Sequence, residues 1–319
     1  MNQNILEVRN LVKHFEVSNS VFSRNKKIVK AVDGISFDIK AGETLGLVGQ
    51  SGCGKTTTAR SLCLLDPNTS GSVNFYNPDT KSMESIDNID EDGIRVFRRN
   101  MLMIFQDPYE SLNPRWTIKD IIKEPLDIHN IGSFSEREDA VVEILRTVGL
   151  TPPENYMSRY PHEISGGQRQ RVSIARTLVM KPKFVVCDEP TSMLDVSIRI
   201  SIMDLMLNLA KELDVSYLYI THDLAVARYM CNRIAVMFNG KIVEIAETEE
   251  LLNNPIHPYT KRLISSIPIP DPSYKRERYE MNFDELDNII QNNPNEKMVN
   301  IGSEHFVATH ETKDFFIES

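Results

Sequence analysis

Apolar and polar positions alternate over Ile5–Arg9 and again over Ile35–Ile39, the period-two pattern of half-buried strands. The polar segment Ser18–Lys27 between them predicts a long exposed loop. Thr44–Val48 is a short apolar run that reads as a buried strand, and Thr57–Leu64 reads as a helix. Ser72–Tyr76 predicts a short strand, and the acidic, Asn-rich run Asn77–Asp92 a surface insertion. Met101–Phe105, Phe184–Pro190 and Tyr217–Ile220 are further strand-like runs. From Thr117 to Val148 the apolar positions recur at three- and four-residue steps, notably in SEREDAVVEILRTVGL, where Ser135 is the expected N-cap. Gln168–Val179 and Val196–Glu212 are also helical in pattern. Strands alternating with helices predict an α/β fold, with a helical subdomain inserted into it.

GQSGCGKTT, between the Thr44–Val48 strand and the following helix, fits the phosphate-loop pattern G-x-x-x-x-G-K-[ST] at Gly49, Gly54, Lys55 and Thr56. Glycines let successive backbone N–H groups close around phosphate oxygens, so Gly49, Ser51, Gly52, Cys53 and Gly54 form the expected cradle. The helix N-terminus adds partial positive charge. Lys55 is suited to the β- and γ-phosphates, the Thr56 hydroxyl to Mg²⁺ and Thr57 to a phosphate oxygen. A glycine-rich turn that merely precedes a lysine is the alternative, and the strand and helix on either side count against it.

Other residues carry weaker signals. Phe15 offers a flat apolar face for a base, although on pattern alone an ordinary core or edge aromatic is the better reading. Gln106 stands at the end of a strand, where it can contact Mg²⁺ or an attacking water; alone, it would be read as a solvated loop residue. ISGGQ sets the Ser165 hydroxyl and the backbone of Gly166 and Gly167 before a helix, with Gln168 following. FVVCDEP ends in Asp188 and Glu189, which suits a magnesium-organising carboxylate followed by a general base; paired acids at a strand end are otherwise often solvated turn residues. His222 follows the Tyr217–Ile220 strand, where a γ-phosphate contact competes with a structural role.

Composition narrows the classes. A net charge of -9 over 319 residues argues against a broad nucleic-acid surface. Cys53, Cys63, Cys187 and Cys231 show no C-x-x-C spacing, so a zinc site or disulfide framework is not expected, and a reducing cytoplasm fits. MNQNILEVRN enters a strand pattern directly, so no secretion signal is expected, and no apolar run reaches the ~18 residues of a membrane span.

With Gln106, ISGGQ, the Asp188–Glu189 pair and His222 in order behind the phosphate loop, the chain resembles the ATP-binding subunits of ABC transporters over roughly Ile5–Ile267. QDPYESLNPR, SGGQRQR, THDLAVARYM and NPIHPYTKRLISSIPIPDP are similar to the oligopeptide and dipeptide importer subfamily, and MVNIGSEHFVATH to the end of its F-type subunit. The resemblance implies a P-loop NTPase (RecA-like) core with an antiparallel β subdomain, a helical subdomain over about 107–180, a nucleotide-binding domain over 1–250 and an extension over 251–319. It makes Phe15 the adenine-stacking residue, Ser165–Gln168 the signature, Glu189 the catalytic base and His222 the switch histidine. Gln106 becomes the Q-loop sensor and, with Thr56, a magnesium ligand that Asp188 supports.

Two positions depart from the family pattern: Ile164 before SGGQ, and Met193 in place of alanine in the following S-A-L-D loop, with changed packing expected at both. No cysteine follows Cys231, so no iron–sulfur cluster is expected. The implied partners are a D-type ATPase in a head-to-tail heterodimer, two membrane permeases and an extracytoplasmic solute-binding protein, with no nucleic acid. The implied location is the cytoplasmic face of the cell membrane, through the permeases. A nickel or metal-chelate importer ATPase shares nearly every motif. A soluble ABC ATPase acting on nucleic acid or ribosomes, and a catalytically silent regulatory subunit, fit less well.

Overall fold

The structure is a computed structural model that describes residues 3–18, 26–87, 89–266 and 297–309. Most of the expected loop at Ser18–Lys27 and the end of the NPIHPYTKRLISSIPIPDP stretch lie outside the described residues. The chain opens with β1 (Asn4–Ser18), β2 (Lys26–Lys40), β3 (Thr44–Val48), α1 (Lys55–Leu62), β4 (Ser70–Asn77), β5 (Ser82–Ser85), α2 (Glu91–Asn100) and β6 (Met101–Ile104). A mainly helical run follows: α3 (Pro108–Ser111), α4 (Ile118–Ile128), α5 (Phe134–Thr147), α6 (Glu154–Met157) and α7 (Gly166–Leu178). Then come β7 (Phe184–Asp188), α8 (Val196–Leu213), β8 (Ser216–Thr221), α9 (Leu224–Met230), β9 (Arg233–Phe238) and β10 (Lys241–Glu247). The last described elements are α10 (Thr248–Asn253), α11 (Pro258–Ser265), β11 (Lys297–Gly302) and β12 (His305–Thr309).

These elements fall into two compact units, one of residues 1–7, 38–43 and 73–218 and the other of residues 8–37, 44–72 and 219–319. In the first unit β6 and β7 run parallel, with Met103 opposite Val186 and Ile104 opposite Cys187. Every residue of β7 is buried, as expected for an apolar strand covered on both faces. Helices α4 and α5 bury one apolar stripe each, through Ile118, Ile121, Ile122 and Leu126 and through Val141, Ile144 and Leu145, whereas α7 is buried on nearly every side, its polar Arg169, Gln170, Ser173 and Thr177 included.

Two expectations change here. The cap of α5 is Ser133, not Ser135: the Glu136 N–H donates to Ser133 Oγ at 3.4 Å and the Ser133 N–H to Glu136 Oε2 at 2.7 Å. This reciprocal box needs Glu three residues after the cap; Ser133–Glu136 and Ser135–Glu138 both have that spacing, and the helix starts at the earlier one. The run Asn77–Asp92 is not simply an insertion, because β5 within it pairs antiparallel with β4, Phe75 opposite Glu84 and Asn77 opposite Ser82. Helix α2 follows, capped by Asp90, and turns Phe97 edge-on to Phe75 at 5.9 Å.

In the second unit β3, wholly buried, lies parallel to β9 from Leu45 opposite Arg233 to Val48 opposite Val236. The order continues antiparallel through β10 and β12 to β11. Helix α1 starts seven residues beyond the end of β3, so the segment between them is held at the C-terminal end of a buried parallel strand. That is where open α/β sheets carry their ligands.

Candidate nucleotide-binding site

The phosphate loop is fixed by its own unit. A Cβ at Gly49 would stand 2.2 Å from the Met237 carbonyl oxygen. One at Gly54, which has φ +111°, would stand 2.1 Å from that of Ala31. Both glycines are therefore demanded by backbone packed against the loop. The Cys53 N–H donates to the Gln50 carbonyl at 3.3 Å, and the Gly240 N–H to the Cys53 carbonyl at 2.9 Å. Helix α1 has Gly54 as its N-cap, with no capping side chain and no acidic residue in its first turn. A helix start left in this way is suited to an anion.

Lys55, 5% exposed, folds back on the loop and donates to the carbonyls of Gly49 at 2.7 Å and Gln50 at 3.0 Å. Ser51, Gly52 and Thr56 are exposed, Thr57 is half-buried and Cys53 is buried. Burial pushes the Cys53 thiol up, against the pull of the Lys55 charge. Thr58, not among the expected site residues, donates its hydroxyl to the Gly54 carbonyl at 3.0 Å and so ties the helix start to the loop.

Two more expected residues belong to this unit. Phe15 lies on β1, 38% exposed, with the Lys13 ammonium 4.9 Å from its ring centre. The side chain is thus partly open to solvent, with a cation over its ring. His222 follows β8 and is exposed. Its neighbours set the turn: the Asp223 N–H donates to Thr221 Oγ1 at 3.0 Å, and the Asp223 carboxylate caps α9 by accepting from the N–H of Ala225 at 2.9 Å.

The first unit carries the rest. Because Ile104 is opposite Cys187 in parallel strands, Gln106 and the Asp188–Glu189 pair leave the same edge. Gln106 is exposed, Asp188 is buried and Glu189 is half-buried. Glu189 adopts a left-handed φ of 45°, which is costly for a residue with a Cβ. Its carbonyl accepts from the N–H of Ser192 at 3.2 Å and the Ser192 hydroxyl at 3.0 Å, which closes the turn. Ser165 caps α7: the Gln168 N–H donates to Ser165 Oγ at 3.3 Å, and the Ser165 N–H to Gln168 Oε1 at 3.0 Å. A Cβ at Gly167 would stand 2.6 Å from Ile198 Cγ2, so this glycine lets α7 approach α8. Gly166 is half-buried, without such a close neighbour. Ile164 is buried as an apolar replacement should be, but Met193 is 64% exposed, so its effect on packing within the chain is small.

A link that sequence reading missed joins the stretch after Gln106 to the signature helix. The Arg169 guanidinium lies 3.8 Å from the centre of the Tyr109 ring and donates to the Tyr109 hydroxyl, and it donates to the Pro161 carbonyl at 2.8 Å. Arg176 donates to the Ser111 carbonyl at 3.2 Å and to Glu124 at 2.8 Å. The arginines of SGGQRQRVSIAR were the available signal, but nothing local named their partners.

A magnesium ion that arrives with a nucleotide keeps waters and phosphate oxygens and needs only one or two protein oxygens. In the second unit the exposed Thr56 hydroxyl offers an oxygen of that kind, and in the first unit, taken by itself, so does the exposed Gln106 amide. Cys53, Cys63, Cys187 and Cys231 are free and buried.

A glycine loop packed against backbone at the end of a buried parallel strand, with its lysine and an uncapped helix start, defines a phosphate-loop nucleotide-binding protein. The family model "ABC transporter" matches residues 32–192, and the model "Oligopeptide/dipeptide transporter, C-terminal region" matches residues 243–294. The chain is 46% identical over 314 residues to the oligopeptide transport ATP-binding protein OppF of Bacillus subtilis (strain 168), covering 98% of both chains. It is 47% identical over 279 residues to AppF of the same organism, covering 86% of this chain and 82% of that one. A glutathione import ATP-binding protein of Pectobacterium atrosepticum is 43% identical over 310 residues, 96% of this chain and 48% of the longer relative. The ATP-binding cassette MJ0796, solved as a dimer with ADP and Pi, aligns with a TM-score of 0.65 and 29% identity over 76% of this chain and 98% of that one. CbiO1 of Clostridium perfringens aligns with a TM-score of 0.65 and 27% identity, over 79% and 92%. The chain belongs to the ABC transporter family, as an ATP-binding subunit with ATPase activity that serves membrane permeases. Among the described residues no helix is long and apolar enough to cross a membrane.

Proposed function

We infer that this chain hydrolyses ATP to power import of oligopeptides through a membrane ABC transporter. The observation that carries the peptide assignment is the C-terminal region matched over 243–294, in a chain collinear with an oligopeptide transport protein over 98% of both lengths. Lys55 neutralises the β- and γ-phosphates, the backbone of Gly49–Thr57 cradles them, and Phe15 stacks on the adenine. Thr56 and Gln106 would hold Mg²⁺, whose charge would offset that of the phosphates. Glu189 would accept a proton from the attacking water, Asp188 would support the magnesium ligands, and His222 would hold the γ-phosphate. Ser165–Gln168 complete the ATP site of a second, D-type ATPase in a head-to-tail pair. Two permeases and an extracytoplasmic solute-binding protein complete the assembly at the cytoplasmic face of the membrane, and no iron–sulfur cluster is needed. The domain division that goes with this reading is a nucleotide-binding domain over 1–250 and an importer-type extension over 251–319.

The glutathione import relative, at 43% identity, favours a second reading in which the solute is a short peptide such as a tripeptide. The test is to solubilise membranes, capture the complex through this chain, identify the co-purifying proteins and reconstitute them in proteoliposomes. ATPase stimulation by a peptide-loaded binding protein supports peptide import, and its dependence on peptide length separates the two readings. Stimulation by a nickel or other metal chelate, but not by peptides, overturns both.

A further inference from the structure

We propose that Tyr259, in the HPYT turn of the C-terminal region, is a positioning residue for ATP that holds the phosphate loop at Gln50, with Glu244 and His305 anchoring the turn behind it. This rests on the reading of Gly49–Thr57 as the phosphate-binding loop. The Gln50 N–H donates to the Tyr259 hydroxyl at 3.1 Å. The carbonyl of the same peptide unit, Gly49 O, accepts from Lys55 at 2.7 Å. Both polar ends of the Gly49–Gln50 peptide are therefore held. When Lys55 turns to a phosphate it releases the carbonyl end, and Tyr259 keeps the plane from rotating. A plane that rotates re-aims the loop, and an anion cradle depends on fixed N–H directions.

Tyr259 is built for this task. It is 1% exposed, and its ring packs on Phe238 with centres 4.5 Å apart. Burial raises the phenol to about 12, so the hydroxyl stays protonated at neutral pH. The start of α11 is also fixed: His257, fully buried, caps the helix by accepting the Tyr259 N–H on Nδ1 at 3.1 Å. Glu244 on β10, fully buried, accepts from the N–H of Ile256 at 2.8 Å and of His257 at 3.0 Å. The same carboxylate lies 2.7 Å from Nε2 of His305, the first residue of β12, which donates to it. Glu244 thus clamps the HPYT turn to the terminal β11–β12 hairpin, and the turn carries the tyrosine that holds the loop.

Tyr259→Phe keeps the ring and its packing and removes the hydroxyl, which accepts from Gln50. In the full chain, ATP affinity is measured by titration with a fluorescent ATP analogue, alongside the melting temperature without nucleotide. KM and kcat are measured in the reconstituted transporter. We expect Kd and KM for ATP to rise about five- to tenfold, the scale of one lost hydrogen bond, while kcat and the melting temperature change little. His305→Ala should raise Kd in the same direction by less, and His305→Gln, which retains an N–H donor, should restore it. Wild-type ATP affinity in Tyr259→Phe, with or without a fall in melting temperature, overturns the proposal. Wild-type affinity in His305→Ala overturns the anchor. Lys55→Ala in the same titration separates the premises: if it binds ATP as well as wild type, the phosphate-loop reading itself has failed.

Discussion

At the scale of single residues, the site depends on a few groups whose types are not interchangeable. Glu189→Gln removes a proton acceptor and keeps size and shape, so ATP binding should persist while hydrolysis falls by roughly two or more orders of magnitude. Turnover near the wild-type rate in the assembled transporter would remove Glu189 from the role of base. Phe15→Ala should weaken ATP binding by about 1 kcal/mol, the scale of one aromatic contact, and unchanged affinity would return the ring to an ordinary edge position. The cysteines offer a check that does not depend on nucleotide. All four are buried, and burial raises the thiols of Cys53 and, to about 12, Cys63. Thiolate is the reactive form, so a maleimide at neutral pH should label the native chain slowly and the unfolded chain quickly. Rapid native labelling at Cys53 would mean that the loop opens far more than its hydrogen bonds to Gln50 and Gly240 imply.

At the scale of elements, caps and close packing decide where helices begin. Ser133→Ala should lower stability by about 1 kcal/mol through loss of the α5 cap, whereas Ser135→Ala should be nearly neutral. Equal effects of the two changes in chemical denaturation would contradict the capping box. The sequence left the cap open between two serines, since S-x-x-E is spelled at Ser133–Glu136 and again at Ser135–Glu138, and the folded chain uses the first. Strand β5 was harder to see. Ser82–Ser85 has no run of apolar residues to announce a strand, and it is one because β4 offers it backbone partners. Arg169 and Tyr109 are sixty residues apart, and their contact arises only after α3 and α7 come together.

At the scale of the whole molecule, the chain needs partners. Ser165, the exposed cap of α7, is proposed to complete the ATP site of a second ATPase subunit. Ser165→Arg should therefore leave nucleotide binding at Lys55 intact while disabling hydrolysis at the partner's phosphate loop. The purified chain alone should be mostly monomeric and a poor ATPase. Its rate is to be measured against protein concentration, with and without the co-purifying ATPase. A steep rise for the chain alone, with no gain on adding the second subunit, would establish a homodimer and discard the heterodimer.

The amino-acid sequence by itself determined the phosphate loop, the buried strands and the order of the Gln106, ISGGQ, Asp188–Glu189 and His222 stretches, because each depends on residue types within a few positions of one another. A glycine must be a glycine where backbone crowds it, and an apolar run must be buried, whatever the rest of the chain does. Tertiary structure alone decided what holds those pieces in place. Gln50 meets the Tyr259 hydroxyl across 209 positions, and Glu244 meets His305 across 61. Such pairs leave no local period or spacing in the sequence, since a hydrogen bond between distant segments requires only that the folded backbone bring one donor and one acceptor to about 3 Å.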